Sequence, residues 1–253
     1  MPKTCKKNKK TRLITGHDTC IYTSKKKGYS GTYTGNLKKG KYDGKGKYVW
    51  KDDGSTYVGN WKDDLFDGKG IFQSADGNEF SGTWKKHKLN GKGKRIFQIK
   101  NKKTKKFKQI ETGTYKNGNL NGKCKFVFNN GVYDGHCKNG LQNGKATRHF
   151  NKGIISTGTW KNGNQTGKCK IQYKNGSVYK GDAEHSVPNG EGTMHRKDGT
   201  ILTGIWKDLK LNGKCKIQND EGIYEGICKN NKGTGTMHKN ILLKKNKTSK
   251  RKK

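Results

Sequence analysis

The sequence predicts an all-β chain: an elongated single antiparallel meander of stacked β-hairpin repeats. Three observations predict it. Glycines recur in phase through most of the chain. Aromatic residues flank many of those glycines at fixed offsets. Between them, apolar and lysine positions alternate with the period of two that marks a strand with one covered face.

The plan is clearest from Tyr57 to Gly77. Tyr57, Gly59 and Trp61 open the unit, Gly68 and Gly70 follow, and Gly77 closes it. The first glycine recurs as Gly35, Gly59, Gly82, Gly113, Gly135, Gly158, Gly181, Gly204 and Gly226, in steps of 24, 23, 31, 22, 23, 23, 23 and 22. In the first eight copies a second glycine follows at nine: Gly44, Gly68, Gly91, Gly122, Gly144, Gly167, Gly190 and Gly213. The ninth copy loses phase, with Gly233 at seven. A late glycine recurs as Gly54, Gly77, Gly131, Gly153, Gly176, Gly199 and Gly222.

This pattern resembles the MORN (membrane occupation and recognition nexus) repeat family, whose signature is Tyr-x-Gly-x-Trp followed by Gly-x-Gly. Tyr57-Gly59-Trp61, Phe80-Gly82-Trp84 and Tyr179-Gly181 match it, as do Gly44/Gly46, Gly68/Gly70, Gly91/Gly93 and Gly190/Gly192. Leu37, Tyr115, Cys137, Ala183 and Cys228 depart from the tryptophan, and Glu111, Ser156 and Leu202 from the aromatic. The resemblance implies an array of hairpins. Some arrays of the family associate with membranes, and others are structural or bind proteins. Such arrays often precede a lipid kinase or a lysine methyltransferase. Here the chain stops soon after the ninth unit, so the expectation is a binding protein and not an enzyme.

Taken in order, residues 1–17 read as a basic flexible arm. Residues 18–237 read as the array: a half unit, eight full units and one degenerate unit. In the half unit, Cys20 to Thr23 is the expected first strand. Glycine-marked breaks such as Asp53-Gly54 and Asn175-Gly176 supply hairpin turns. The long step between Gly82 and Gly113 predicts an extended hairpin tip near Ile99 to Gln109, rich in lysine. Residues 238–253 read as a basic flexible tail. About eighteen strands spaced ~4.8 Å apart would make a sheet roughly 80 Å long. Its one apolar face must curl into a groove or pair with a second copy of the chain, so a homodimer is one expected partner.

Hydrophobic residues make up 27% of the 253 residues and the net charge is +38. Alone, those values would indicate disorder; the phased pattern overrules that reading between the arm and the tail. Only five of the 57 basic residues are arginine. Lysine is a point charge and arginine a planar fork, so the composition favours diffuse attraction to anions over base readout. Coding by an AT-rich genome is a competing cause of the lysine content. The N-terminus is polar and basic, and no stretch approaches the ~20 apolar residues of a membrane span. The expected location is intracellular, soluble or peripherally membrane-associated, and not secreted.

Among the seven cysteines, Cys124, Cys169 and Cys215 replace the second glycine of Gly-x-Gly, and Cys137 and Cys228 replace the tryptophan. Across each seam a large residue faces glycine or alanine, and a smaller one faces cysteine: Gly46 with Trp61, Gly70 with Trp84, Cys124 with Cys137, Cys215 with Cys228. That is volume compensation. The expectation is packing by free thiols, with bridges 124–137 and 215–228 as the alternative. The histidines fall at unrelated repeat positions, no metal-ligand spacing occurs, and the Gly-x-Gly pairs do not open helices. No catalytic residue, metal, cofactor or small-molecule substrate is expected.

What remains is lysine. The third position after the first glycine holds Lys38, Lys62, Lys85, Lys116, Lys138, Lys161 and Lys207, with Glu184 as an exception. The tenth holds Lys45, Lys69, Lys92, Lys123, Lys145, Lys168 and Lys214. Alternation puts both rows on one face, opposite the aromatics. They are the candidate anion-binding residues, and acidic phospholipid is the favoured partner. Nucleic acid held by the same lysines is one alternative. A protein–protein scaffold with incidental charge is the other.

Overall fold

The computed structural model describes residues 4–5, 16–22, 30–101, 104–234 and 238–239, with side chains over 30–99 and 108–234. The rest of the expected arm and tail lies outside the described residues, as does the very tip of the long hairpin. Among the described residues every regular element is a strand. The chain divides into two compact units, one of residues 1–129 with 136–140, the other of 130–135 with 141–253.

Within each unit, strands pair antiparallel with their sequence neighbours. In the first, Gly31–Lys38 pairs with Lys41–Trp50, which pairs with Thr56–Lys62, and so on to Thr104–Lys116 and Asn119–Phe128. In the second, the same sequence of hairpins runs from Leu141–Phe150 and Ile154–Lys161 to Lys210–Gln218 and Gly222–Lys229. The expected extended hairpin is present: Lys88–Asn101 and Thr104–Lys116 run on past their neighbours, with Ile99 opposite Phe107. The expected first strand is present as Gly16–Tyr22. It faces a two-residue strand in the expected arm, which sets Cys5 opposite Cys20.

Each repeat turns in two ways. The late glycines close wide turns, as expected. The other end of each hairpin is a two-residue turn with both residues left-handed, as at Asp63-Asp64 (φ 50 and 71) and Lys86-His87 (φ 48 and 64). That is the type I′ geometry whose twist matches the flanking strands. Asparagine-glycine fills it at Asn117-Gly118, Asn139-Gly140 and Asn162-Gly163.

In the wide turns, carboxylates hold the chain. Asp53 accepts hydrogen bonds from the Ser55 amide at 2.9 Å and the Ser55 hydroxyl at 2.8 Å, and Asp198 accepts from the Thr200 amide at 2.8 Å. These bonds hold both carboxyls below their usual pKa. The folded value lies below the unfolded one, so the stabilisation is present above the unfolded pKa of ~3.9 and is lost as pH falls through the folded value. The Ser55 and Thr200 amide resonances should therefore titrate with midpoints below that of free aspartate. Midpoints at or above it would contradict the turn geometry.

The core lies on one face. Tyr33, Tyr57, Tyr133 and Tyr179 are fully buried there, with Trp160 and Trp206 nearly so. Glycine makes this possible in a single sheet. The Tyr57 ring lies flat over Gly70 of the return strand, where an added Cβ would fall well inside contact distance of the phenol. Tyr33 covers Gly46, and Tyr179 covers Gly192, in the same way. Each phenol is tied down by donating to a carbonyl three residues on, Tyr57 to Asn60 at 3.0 Å and Tyr179 to Asp182 at 2.7 Å. The next repeat then locks on, because the Trp84 indole donates to the Gly70 carbonyl at 2.9 Å and the Trp206 indole to Gly192 at 2.9 Å. These rings are thus covered by the chain's own side chains, while Trp50, Phe72 and Phe80 on the same face are half-buried.

The cysteines follow the same rule with one correction. Where the covering tyrosine is replaced by Glu111, Ser156 or Leu202, the covered glycine becomes Cys124, Cys169 or Cys215. Volume is thus balanced within the hairpin, a compensation separate from the one expected across the seam. Two of the pairs, however, are disulfides: Cys124–Cys137 and Cys215–Cys228, with Cα separations of 5.9 and 5.8 Å. A volume argument sees the size of two facing thiols but not their separation, which here falls within bridging range. Cys169 is free and buried, and burial pushes its thiol up to about 11, which leaves it unreactive.

Candidate anion-binding face

The lysine rows are placed by the same local geometry. Every third-position lysine is the last residue of its strand, as in Gly31–Lys38, Thr56–Lys62 and Glu79–Lys85. This row therefore runs beside the tight turns. The tenth-position lysines follow a left-handed glycine. Gly68 has φ +101 and sits in a register shift between the Gly59 and Trp61 pairings. Only a residue without a Cβ takes that backbone cheaply, and Lys69 emerges directly after it, opposite Thr83. The bulge glycine at position nine is thus a placement device for the lysine at ten.

Each candidate lysine is exposed: Lys38, Lys62, Lys85, Lys116, Lys138, Lys161 and Lys207 in one row, and Lys45, Lys69, Lys92, Lys123, Lys145, Lys168 and Lys214 in the other. Both rows lie on the face away from the buried rings. Several lysines stand opposite a like charge, Lys85 facing Lys88 and Lys207 facing Lys210. Like charges directly opposite destabilise a strand pair, and a bound anion relieves that cost.

Compensation within the chain is uneven. The first unit's ion pairs among the described residues are Lys41–Asp63 at 3.3 Å and Arg95–Glu111 at 4.0 Å. Neither uses a candidate lysine. In the second unit, Lys168 pairs with Asp182 at 2.9 Å, and that bond raises the lysine's pKa. Lys216 pairs with Glu225 at 2.5 Å. Sequence reading noted Glu184 as an exception at position three but overlooked Glu191 at position ten of the same repeat. The same count along the chain would have found it.

A trough of about 920 Å³ opens on the lysine face of the second unit, lined by Lys168, Lys170, Lys180 and Lys214, three threonines and Glu191. Arg95 and Arg148, on the aromatic side, are structural. The Arg95 guanidinium lies 5.4 Å from the Phe80 ring and 5.0 Å from the Tyr115 ring, and Arg148 lies 4.8 Å from Phe150. Among the described residues no group of three His, Cys, Asp or Glu side chains could hold a metal ion. No helix among them is long and apolar enough to cross a membrane.

The MORN repeat model matches residues 33–55, 57–79, 80–102, 112–132, 133–154, 157–178 and 179–201. The chain belongs to the MORN repeat family. No curated protein matches the chain closely enough to serve as a relative. Each MORN match opens at or near the strand that carries the first glycine, so the family's repeat and the structural hairpin coincide. The later MORN-like hairpins, Ile201–Lys207 with Lys210–Gln218 and the strand Gly222–Lys229, continue the pattern beyond the last match. A MORN array is a repeat scaffold; in this one rings and glycines build one face, and exposed lysines stand on the other.

Proposed function

We propose that this MORN array is a non-enzymatic scaffold that engages acidic phospholipid surfaces through its lysine rows. The observation that carries the proposal is the pairing of like charges on an exposed face, Lys85 opposite Lys88, with no row lysine of the first unit held in an ion pair among the described residues. Repeats of two strands recur every ~10 Å, so successive lysines stand about one Debye length apart at physiological salt and act together on an extended anionic surface. Nucleic acid is a poorer fit. Single-strand binding draws on stacking between bases and aromatic rings beside the basic groove, and here the rings are buried on the opposite face.

A protein-scaffold reading has one observation in its favour. Val58 and Ile71 face each other on the lysine side, 50% and 49% exposed. The test is vesicle co-sedimentation of the full chain. Vesicles containing phosphatidylserine should bind at ~0.15 M salt, neutral ones should not, and binding should fall steeply as salt rises. Deleting residues 244–253 should leave most of the binding in place; if that deletion removes it, the tail is the anchor and the array a spacer. Full competition by duplex DNA at equal phosphate would reduce the site to charge alone. No binding to either would leave protein scaffolding as the function.

A further inference from the structure

We infer that the repeat from Gly181 to Gly192 ends the anion-engaging surface, so that the first unit's lysine face carries the contact with acidic phospholipid and the second unit's does not. The inference rests on the phospholipid reading and deepens it. In the first unit's repeats, positions three and ten are lysine without exception, as in Lys62 with Lys69 and Lys85 with Lys92. In the Gly181 repeat both positions are acidic: Glu184 and Glu191, each exposed. Asp182 joins them on the same face. One whole rung of the ladder is reversed in sign.

The reversed rung acts on its neighbours. Asp182 takes the ammonium of Lys168 at 2.9 Å, and a second bond, from the Glu191 amide at 3.2 Å, holds that carboxylate in place. Glu191 lines the trough beside Lys180 and Lys214, so the trough is of mixed sign. Lysines one rung away lie about 10 Å off, about one Debye length, and feel the carboxylates as strongly as they feel each other. A bilayer surface approaching this face would meet exposed Glu184 and Glu191 along with the lysines. The first unit presents no such rung.

The test uses the full chain and phosphatidylserine vesicles, with circular dichroism to confirm folding. Lys45→Glu, Lys69→Glu, Lys92→Glu and Lys123→Glu together should weaken association by about 100-fold or more, because each juxtaposed lysine contributes several-fold. Four row lysines of the second unit, Lys145→Glu, Lys161→Glu, Lys207→Glu and Lys214→Glu, should together cost less than about fivefold. Glutamine versions of both sets should show the same order and serve where a glutamate set fails to fold. Glu184→Lys with Glu191→Lys should strengthen association about fivefold or more, by restoring a lysine rung to the second unit. Equal losses from the two sets, or no gain from the double lysine variant, would overturn the inference while leaving the phospholipid reading in place. Failure of the unaltered chain to bind the vesicles would remove both.

Discussion

Gly70→Val is expected to lower the stability of its repeat by about 3 kcal/mol or more, at the upper end of the usual cost of overpacking. The added side chain would occupy the volume of the Tyr57 ring. That ring cannot retreat. It stacks on Phe66 at 3.6 Å, meets Trp84 edge-on at 5.8 Å, and is hydrogen-bonded through its hydroxyl to Asn60. The Trp84 indole also needs the Gly70 carbonyl where it is. The chain contains its own rescue, because the Gly204 repeat pairs Leu202 with Cys215 at these two positions. Tyr57→Leu combined with Gly70→Cys should therefore cost less than the sum of the single changes, by about 1–3 kcal/mol of coupling. Amide exchange in Thr56–Lys62 and Leu65–Gln73 is the suitable readout, because cooperativity can break down in long repeat arrays. A Gly70→Val chain with unchanged exchange in those strands would contradict the ring-over-glycine account.

Opening the Cys124–Cys137 bridge should cost about 3 kcal/mol, the usual value for a loop of its length. The two residues are 13 apart in sequence. The bridge stands where other seams have an indole donating to a glycine carbonyl, as Trp84 does to Gly70. Cys124→Ser with Cys137→Ser should raise amide exchange in Asn119–Phe128 and Gly131–Lys138, and a reductant should do the same to the unaltered chain. Cys169→Ser, at a buried cysteine without a bridge, should leave the response of those strands to reductant as it is in the unaltered chain. Digestion of alkylated, unreduced protein should yield the two linked peptide pairs. Recovery of Cys124 and Cys137 fully alkylated would contradict the bridge.

Much of the fold was legible because glycine phase and strand alternation report directly on backbone and facing. Tyr57, Gly59 and Trp61 announce a strand, and the period of two assigns each lysine to its face. Other features were not legible because a recurring glycine does not say which constraint it answers. Gly68 serves a left-handed bulge, Gly70 lies beneath a ring, and Gly54 closes a wide turn, yet all three look alike in sequence. The tight turns share no single sequence mark, because Lys86-His87 and Asp63-Asp64 fill the place that Asn117-Gly118 takes elsewhere. The division into two units has no signal, since the repeat keeps its phase between Gly113 and Gly158. The candidate face was legible lysine by lysine. Its sign reversal at Glu184 and Glu191 shows only when the two positions are read as one rung.

The most direct test of the central claim reverses the turn-side row of the first unit: Lys62→Glu, Lys85→Glu, Lys116→Glu and Lys138→Glu in one chain. These side chains are exposed and end their strands, so the thermal midpoint and circular dichroism should stay close to those of the unaltered protein. Association with phosphatidylserine vesicles at ~0.15 M salt should be abolished, since about 1 kcal/mol is lost for each lysine removed and the new glutamates add repulsion. Vesicle binding that survives the four reversals in a folded chain would contradict the claim that the lysine face is the contact surface.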